Sequence, residues 1–401
     1  MNKLYYKEQD LTNKRVLMRV DYNVPLKDGQ IESNTRITAT LPTLRHIIAQ
    51  AGAKLVLMSH LGRPDGKPKP ECSLAICAEE LRKLLPGVTV HFVPDCLAAA
   101  GTIESMHAGE ICLLENLRYY GEEERNDAEF ARKLAAYGDV FINDAFGTAH
   151  RAHASTEGVT HFFQGRCYAG DLMKRELDYL GDAVYAPVHP FVVILGGAKI
   201  ADKIKVVENL VQKCDKLLIG GGMAYTFLKA QGKEIGRCLL QGDKIRMCQR
   251  LLAQYKDKIV LPVDGKYTAQ VDFKNRRVPG PVVECDVDHI PADMEACDIG
   301  SRTVELFSGI IQGARTVVWN GPVGIFEIEP FNQGTQAIAR AVQHATAQGA
   351  KCVIGGGDSE SAIKQAKLEN VGHISTGGGA SLEFLEGKPM PGIASLTSKT
   401  A

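Results

Sequence analysis

The sequence predicts an α/β protein of two doubly wound parallel-sheet domains joined by a linker helix and a hinge. Three observations carry that expectation. Short apolar, β-branched runs alternate with amphipathic stretches along the 401 residues, and strands alternating with helices form parallel sheets with helices on both faces. The runs are apolar nearly throughout rather than at every second residue, as in strands buried on both sides. They also fall into two groups, five and then six, with Pro187 and Pro190 marking the break between them.

In the first group the strand candidates are RVLMRV (15–20), KLVLMS (54–59), VTVHFV (88–93), ICLLE (111–115) and DVFIN (139–143). In the second they are FVVIL (191–195), KLLIG (216–220), IVLPV (259–263), TVVWN (316–320), KCVIG (351–355) and GHIST (372–376). Helical patterns lie between them; over 201–213, Ile204, Val207, Leu210 and Val211 share one face. The segment LMKRELDYLGDAV reads as one amphipathic helix, either an interdomain linker over 172–186 or a further crossover helix. This divides the chain into 1–171, the linker, and 187–387. The Pro/Gly/Ser-rich tail 388–401 is either frayed or folded back.

Composition narrows the function classes. Lys plus Arg and Asp plus Glu both number 47, and the balance holds in each half. That argues against nucleic-acid and membrane-surface partners, which call for a basic excess. The longest apolar run is far shorter than the ~20 residues of a membrane span. The 11 cysteines form no CxxC pair or zinc spacing and read as reduced thiols, so a cytoplasmic location is expected.

Ligands of open parallel sheets bind beyond the carboxyl ends of the strands. In the first half those ends carry Asp21, Tyr22 and Asn23, then His60 to Arg63, then Asn116 to Arg118, then Asp144 and the stretch with His150, Arg151 and His153. Arg36 follows the first loop. Arginine presents a planar fork suited to phosphate and carboxylate, so four loops delivering Arg36, Arg63, Arg118 and Arg151 to one edge predict a small-anion site.

In the second half the strands end in glycine: Gly196-Gly197, Gly220 to Gly222, Gly355 to Gly357 and Gly377 to Gly379. Such turns let a backbone approach phosphate and present N–H groups at a helix start. Neither GxGxxG nor GxxxxGK[ST] is present. Lys199 and Lys203 stand four apart at the start of the 201–213 helix, where like charges repel and cations are disfavoured. A bound polyphosphate reverses that cost; a solvated basic turn is the plain alternative. Asp358 reads as a helix N-cap or as an oxygen ligand for Mg²⁺, Glu327 as a ribose contact or a helix residue, and Asn320 as a turn former. An anion domain, a nucleotide domain and a linker together suggest phosphoryl transfer by domain closure.

With these residues in view, the chain resembles the phosphoglycerate kinase family throughout. The motifs are RVDYNVP (19–25), SHLGRP (59–64), LENLRYY (114–120), DAFGTAHRAHAS (144–155), ILGGAKIADK (194–203), IGGGMAYTF (219–227), VVWNGPVGIFE (317–327), IGGGDS (354–359) and STGGGASLEFLEG (375–387). Tyr22 and Ser359 stand where phenylalanine and threonine are also common, and neither change removes a charge or donor.

The resemblance implies transfer between 1,3-bisphosphoglycerate and Mg-ADP, giving 3-phosphoglycerate and Mg-ATP, in a monomer without nucleic-acid or membrane partners. It implies that Asp21, Asn23, Arg36, His60, Arg63, Arg118 and Arg151 hold the phosphoglycerate. Arg36, Lys203 and Lys199 are the implied catalytic residues. Lys199, Lys203, Gly221, Gly222, Asn320, Glu327, Gly356, Gly357, Asp358 and Ser359 are the implied nucleotide site, with Asp358 on Mg²⁺. It also implies that the tail packs on the first domain. Two rival classes are a nicotinamide dehydrogenase, which lacks its fingerprint here, and a non-catalytic binding protein on the same fold.

Overall fold

The computed structural model describes residues 2–399. They form two compact units: residues up to Asp178 together with those from Pro389 on, and Tyr179–Lys388.

The strands of the first unit are β1 (Arg15–Arg19), β2 (Leu26–Lys27), β3 (Gln30–Ile31), β4 (Lys54–Met58), β5 (Val90–Val93), β6 (Ile111–Leu114), β7 (Val140–Asn143) and β8 (Cys167–Ala169). Six of them make a parallel sheet in the order β5-β6-β4-β1-β7-β8. The sixth, β8, was not expected: three residues are too short to show a period. The β2–β3 hairpin was also missed, although its Asp28-Gly29 turn, at φ 50 and 73, has the left-handed pair such hairpins need. Val16, Met18, Leu55, Leu57, Ile111 and Leu113 build one side of the core. From β1 the chain first winds one way, through β4, and later the other way, through β7. The sheet therefore has its switch point between β1 and β7.

The C-terminal segment packs within this unit. Asn143 Nδ2 donates to Gly392 O at 3.0 Å, and the Leu4 and Thr397 N–H groups donate to Thr397 O and Cys167 O. Of the tail 388–401, residues 400 and 401 lie outside the described residues, as does residue 1 of the first domain. The helix expected over 172–186 is a helix Asp171–Glu176, a π turn Leu177–Gly181 and a helix Asp182–Tyr185. The two units divide within it, at Asp178.

The second unit holds β9 (Phe191–Leu195), β10 (Lys216–Ile219), β11 (Ile259–Val260), β12 (Asp264–Thr268), β13 (Val283–Asp286), β14 (Glu295–Ile299), β15 (Thr316–Asn320), β16 (Lys351–Gly355) and β17 (His373–Ile374). Its parallel sheet runs β11-β10-β9-β15-β16-β17, with the switch point between β9 and β15. The 259–263 candidate shrinks to two residues because Pro262 cannot donate to a ladder. A three-stranded antiparallel sheet, β13-β12-β14, was missed; its DGKYT, VECD and EACDI segments are too polar to read as core strands. The 201–213 helix is also corrected. It is a 3₁₀ turn, Ile200–Asp202, followed by a helix Ile204–Leu210 that buries Val206, Val207 and Leu210.

Candidate functional site

In the first unit, the loops after β1, β4, β6 and β7 bring charged groups to the switch point. Asp21 and Arg36 form an ion pair at 2.6 Å. Asn23 Oδ1 accepts the Gly62 N–H at 2.9 Å, tying the first loop to the second. His60 is buried, and burial together with Arg19, Arg118, Arg151 and Arg36 holds its ring well below the usual histidine range. Arg118 is 5% exposed. Its Nη1 donates to Gly62 O at 3.3 Å, its Nε lies 3.3 Å from Glu124, and its Nη2 has no partner among the described residues. Burial, then the neighbouring Arg19, pushes this guanidinium down to about 10, and an incoming anion would relieve both penalties. Arg151 Nε donates to His150 Nε2 at 3.1 Å. Arg63 stands exposed on the turn after β4; its carbonyl accepts from Lys69, and no partner among the described residues holds its guanidinium.

Beneath this cluster lies a layer that sequence reasoning missed. Arg19, the last residue of β1, is fully buried. It donates to Ser155 Oγ at 2.8 Å and lies 3.2 Å from His60 Nδ1. Ser155 in turn donates to the buried Glu123 through Oγ at 2.6 Å and through its N–H at 3.0 Å. The only local signal is an arginine near the end of the run RVLMRV, whose other arginine, Arg15, opens it, and the strand pattern absorbs both.

In the second unit, the β9 and β15 loops meet at the switch point. Lys203, the N-cap of Ile204–Leu210, donates through Nζ to Oδ1 of the buried Asn320 at the end of β15. Burial lowers the Lys203 ammonium, while Asp358, Asp202 and Glu386 raise it. The β9 and β10 turns pack against each other because they are glycine: a Cβ on Gly221, at φ +67, would sit 2.6 Å from Gly197 O. Beside them opens a cavity of about 380 Å³, lined among others by Gly221, Gly222, Tyr225, Phe326, Glu327 and Asp358. Its size and mixed lining suit a nucleotide.

Three readings of this half are corrected. Asp358 is not the N-cap; Gly356 is, at φ 90, and Gly357 opens the helix Gly357–Gln365. Asp358 sits exposed in the first turn and faces the cavity, while the buried Ser359 accepts the Gly321 N–H through Oγ at 2.8 Å. Glu327 lies in a turn rather than a helix. Lys199 and Lys203 flank a 3₁₀ turn, so they do not share the α-helical face on which the repulsion was expected. Lys199 is exposed. The cavity wall supplied by Tyr225, Leu239, Phe273 and Cys297 was also missed, because each residue comes from a different element with no local pattern.

Residues 6–388 match the family model described as phosphoglycerate kinase. The chain belongs to the phosphoglycerate kinase family. It is 51% identical to the phosphoglycerate kinase of Koribacter versatilis, with both chains fully covered. It is 50% identical to that of Moorella thermoacetica, again over the full length of each. Among solved structures, the phosphoglycerate kinase of Coxiella burnetii superposes with a TM-score of 0.90 at 38% identity, covering 98% of this chain and 99% of the other. The Pyrococcus horikoshii enzyme follows at 0.78 and 34%, covering 98% of each. Membership in the phosphoglycerate kinase family makes the chain a phosphotransferase with a carboxyl group as acceptor. Among the described residues no helix is long and apolar enough to cross a membrane.

Proposed function

We propose that the chain catalyses reversible phosphoryl transfer from 1,3-bisphosphoglycerate to Mg-ADP, giving 3-phosphoglycerate and Mg-ATP. The observation that carries this reading is the family match over residues 6–388, which takes in both half-sites. Asp21, Asn23, Arg36, His60, Arg63, Arg118 and Arg151 hold the phosphorylated acid. Their chemistry supports this: arginine forks and a neutral imidazole donor match carboxylate and phosphate oxygens.

The nucleotide lies in the cavity, its phosphates toward the glycine turns and Lys203, with Glu327 toward the ribose. Gly356 and Gly357 present backbone N–H groups to the phosphates, and Lys199 adds charge at the rim. Asp358 offers one carboxylate oxygen to Mg²⁺, a donor set that fits an ion completing its shell with phosphate oxygens and water. When bound, that ion neutralises phosphate charge.

The chemistry needs no general base in the ATP-forming direction, because the attacking ADP oxygen is already anionic. It needs a near-attack separation of roughly 3–3.5 Å. Arg36 belongs to the first unit and Lys203 to the second, and the domain closure that the family resemblance implies brings both to the transferring group. There they stabilise charge on its equatorial oxygens and the closed site excludes water. The residues of each half-site fall within a single unit of the chain, an arrangement that supports a monomer as the working form. All eleven cysteines are free thiols, which supports a cytoplasmic location.

A coupled assay with 3-phosphoglycerate, ATP and Mg²⁺ tests this reading. Turnover is expected, with a sharp loss in EDTA. Well-folded protein inactive in both directions would overturn it and favour a binding protein.

A further inference from the structure

The basic cluster contains a buried imidazole in contact with a buried guanidinium. His60 is 4% exposed and Arg19 is 0% exposed. The guanidinium Nη2 of Arg19 lies 3.2 Å from His60 Nδ1. A guanidinium carries five N–H donors, no acceptor, and does not give up its proton in this pH range. The contact is a hydrogen bond only if Nδ1 is the acceptor. We propose that Arg19 is a positioning residue that locks His60 in its neutral Nε2–H tautomer, so that His60 meets the phosphorylated acid as an uncharged hydrogen-bond donor. This rests on the reading of the first half-site as the phosphoglycerate site.

The surroundings make the lock rigid. Arg19 Nε donates to Ser155 Oγ at 2.8 Å, and Nη1 donates to the Val20 carbonyl. Ser155 donates through Oγ and N–H to the two oxygens of Glu123, which is fully buried. The relay Glu123–Ser155–Arg19–His60 therefore begins at the buried carboxyl group of Glu123, which burial pushes up and Arg19 draws back down, and ends at the ring. On the backbone side, the Tyr22 N–H donates to Ser59 Oγ at 2.8 Å, and that hydroxyl donates to the His60 carbonyl at 3.2 Å. Burial comes first among the influences that oppose a second ring proton, followed by the charges of Arg19, Arg118, Arg151 and Arg36. An imidazolium would add one more charge to this cluster. A ring with the opposite tautomer would point N–H at a guanidinium and offer only a lone pair to the anion.

The tautomer has a spectroscopic signature that a merely structural role would not move. Full-length ¹⁵N-labelled protein is examined by multiple-bond ¹H–¹⁵N correlation from pH 6 to 8, with His60 assigned by the signals lost in His60→Gln. The expected ring has protonated Nε2 and unprotonated Nδ1 throughout. A protonated Nδ1, or titration within that range, overturns the proposal. Arg19→Met should give mixed Nδ1–H and Nε2–H tautomers of a ring that burial and the remaining arginines keep neutral, and should raise KM for 3-phosphoglycerate roughly tenfold, the loss of about one hydrogen bond. Arg19→Lys, which keeps the charge and a donor, should recover the tautomer and most of KM. A folded Arg19→Met protein that keeps the single wild-type tautomer overturns the proposal. If that variant does not fold, Arg19→Lys decides through the Nδ1 resonance, which must move if Arg19 is its partner; an unmoved resonance overturns the assignment. Inactive wild-type protein with the expected tautomer would overturn the proposed reaction and leave the lock standing. Active protein with a protonated Nδ1 would do the reverse.

Discussion

The ammonium of Lys203 donates to Oδ1 of Asn320 at the point where the second sheet reverses its winding. One residue follows β9 and the other ends β15, so the pair spans the crevice that open α/β sheets use for ligands. Asn320 is buried and fixed by its strand. Lys203 is thereby held near the glycine turns before any nucleotide arrives, which limits the reorganisation needed when charge develops.

Lys203→Ala should therefore lower kcat about 10²–10³-fold, the range for losing one preorganised charge-stabilising donor. KM for 3-phosphoglycerate, which the proposed site binds in the other unit, should change little. Steady-state kinetics on the two proteins measures this, and an unchanged kcat would remove Lys203 from the mechanism.

Arg63 offers the opposite test. Its guanidinium is exposed without a partner among the described residues, so Arg63→Ala should alter stability by less than about 0.5 kcal/mol. A charge-assisted hydrogen bond contributes about 1.5–3 kcal/mol, so KM for 3-phosphoglycerate should rise roughly 10–100-fold with ADP affinity unchanged. Calorimetric titration of both ligands decides; selective loss of ADP binding would mean the half-sites are assigned to the wrong units.

Burial of His153 sets a pH dependence of stability. Burial, then Arg118, Arg19 and Arg151, push its ring down to about 3. The unfolded chain takes up this proton near 6.5 and the folded protein does not. Stability from this group is complete above pH 6.5 and is lost as pH falls toward 3, at up to about 1.4 kcal/mol per pH unit. Asp144 and Asp298, buried and raised to about 7, act with the opposite sign, favouring the folded state at lower pH. His153→Gln isolates the first contribution. From pH 7 to pH 5 the urea midpoint of wild type should drop relative to that of His153→Gln; parallel curves would rule out a buried neutral His153.

What could be read from the sequence was set by how local the cause was. The runs 15–20, 111–115 and 316–320 are apolar on both faces and became central strands because nothing else can bury them. The antiparallel sheet escaped because Tyr267 and Cys297 are apolar positions within otherwise polar segments. At the sites, residues at strand ends were legible as a class: His60, Arg118, Arg151, Lys203 and Asn320 all stand where a parallel sheet receives ligands. Arg19 was not, since its chemistry lies in long-range contacts with Ser155 and Glu123 rather than in neighbouring residues. The cavity wall was hidden for the same reason: Tyr225, Phe273 and Phe326 meet only through the fold.

Gly221 provides the sharpest test of the nucleotide half-site. Its φ of +67 lies in the left-handed region, and a Cβ there would meet Gly197 O at 2.6 Å and Gly197 N at 2.8 Å. Both are backbone atoms and cannot swing aside as a side-chain tip would. The left-handed conformation alone costs a non-glycine residue roughly 1–2 kcal/mol, and relief of the contact must separate the β9 and β10 turns. Those turns line the cavity beside Asp358, and the β9 turn leads into the segment that carries Lys203. Gly221→Ala should therefore destabilise the protein by about 1–3 kcal/mol and weaken ADP binding, while 3-phosphoglycerate binding to the folded protein is retained. Gly232, also at positive φ (+87) but with nothing within 4 Å of where a Cβ would stand, is the control: Gly232→Ala should show the conformational cost without the loss of ADP affinity. Equal effects of the two substitutions on ADP binding would mean that close packing of the glycine turns does not shape the nucleotide site.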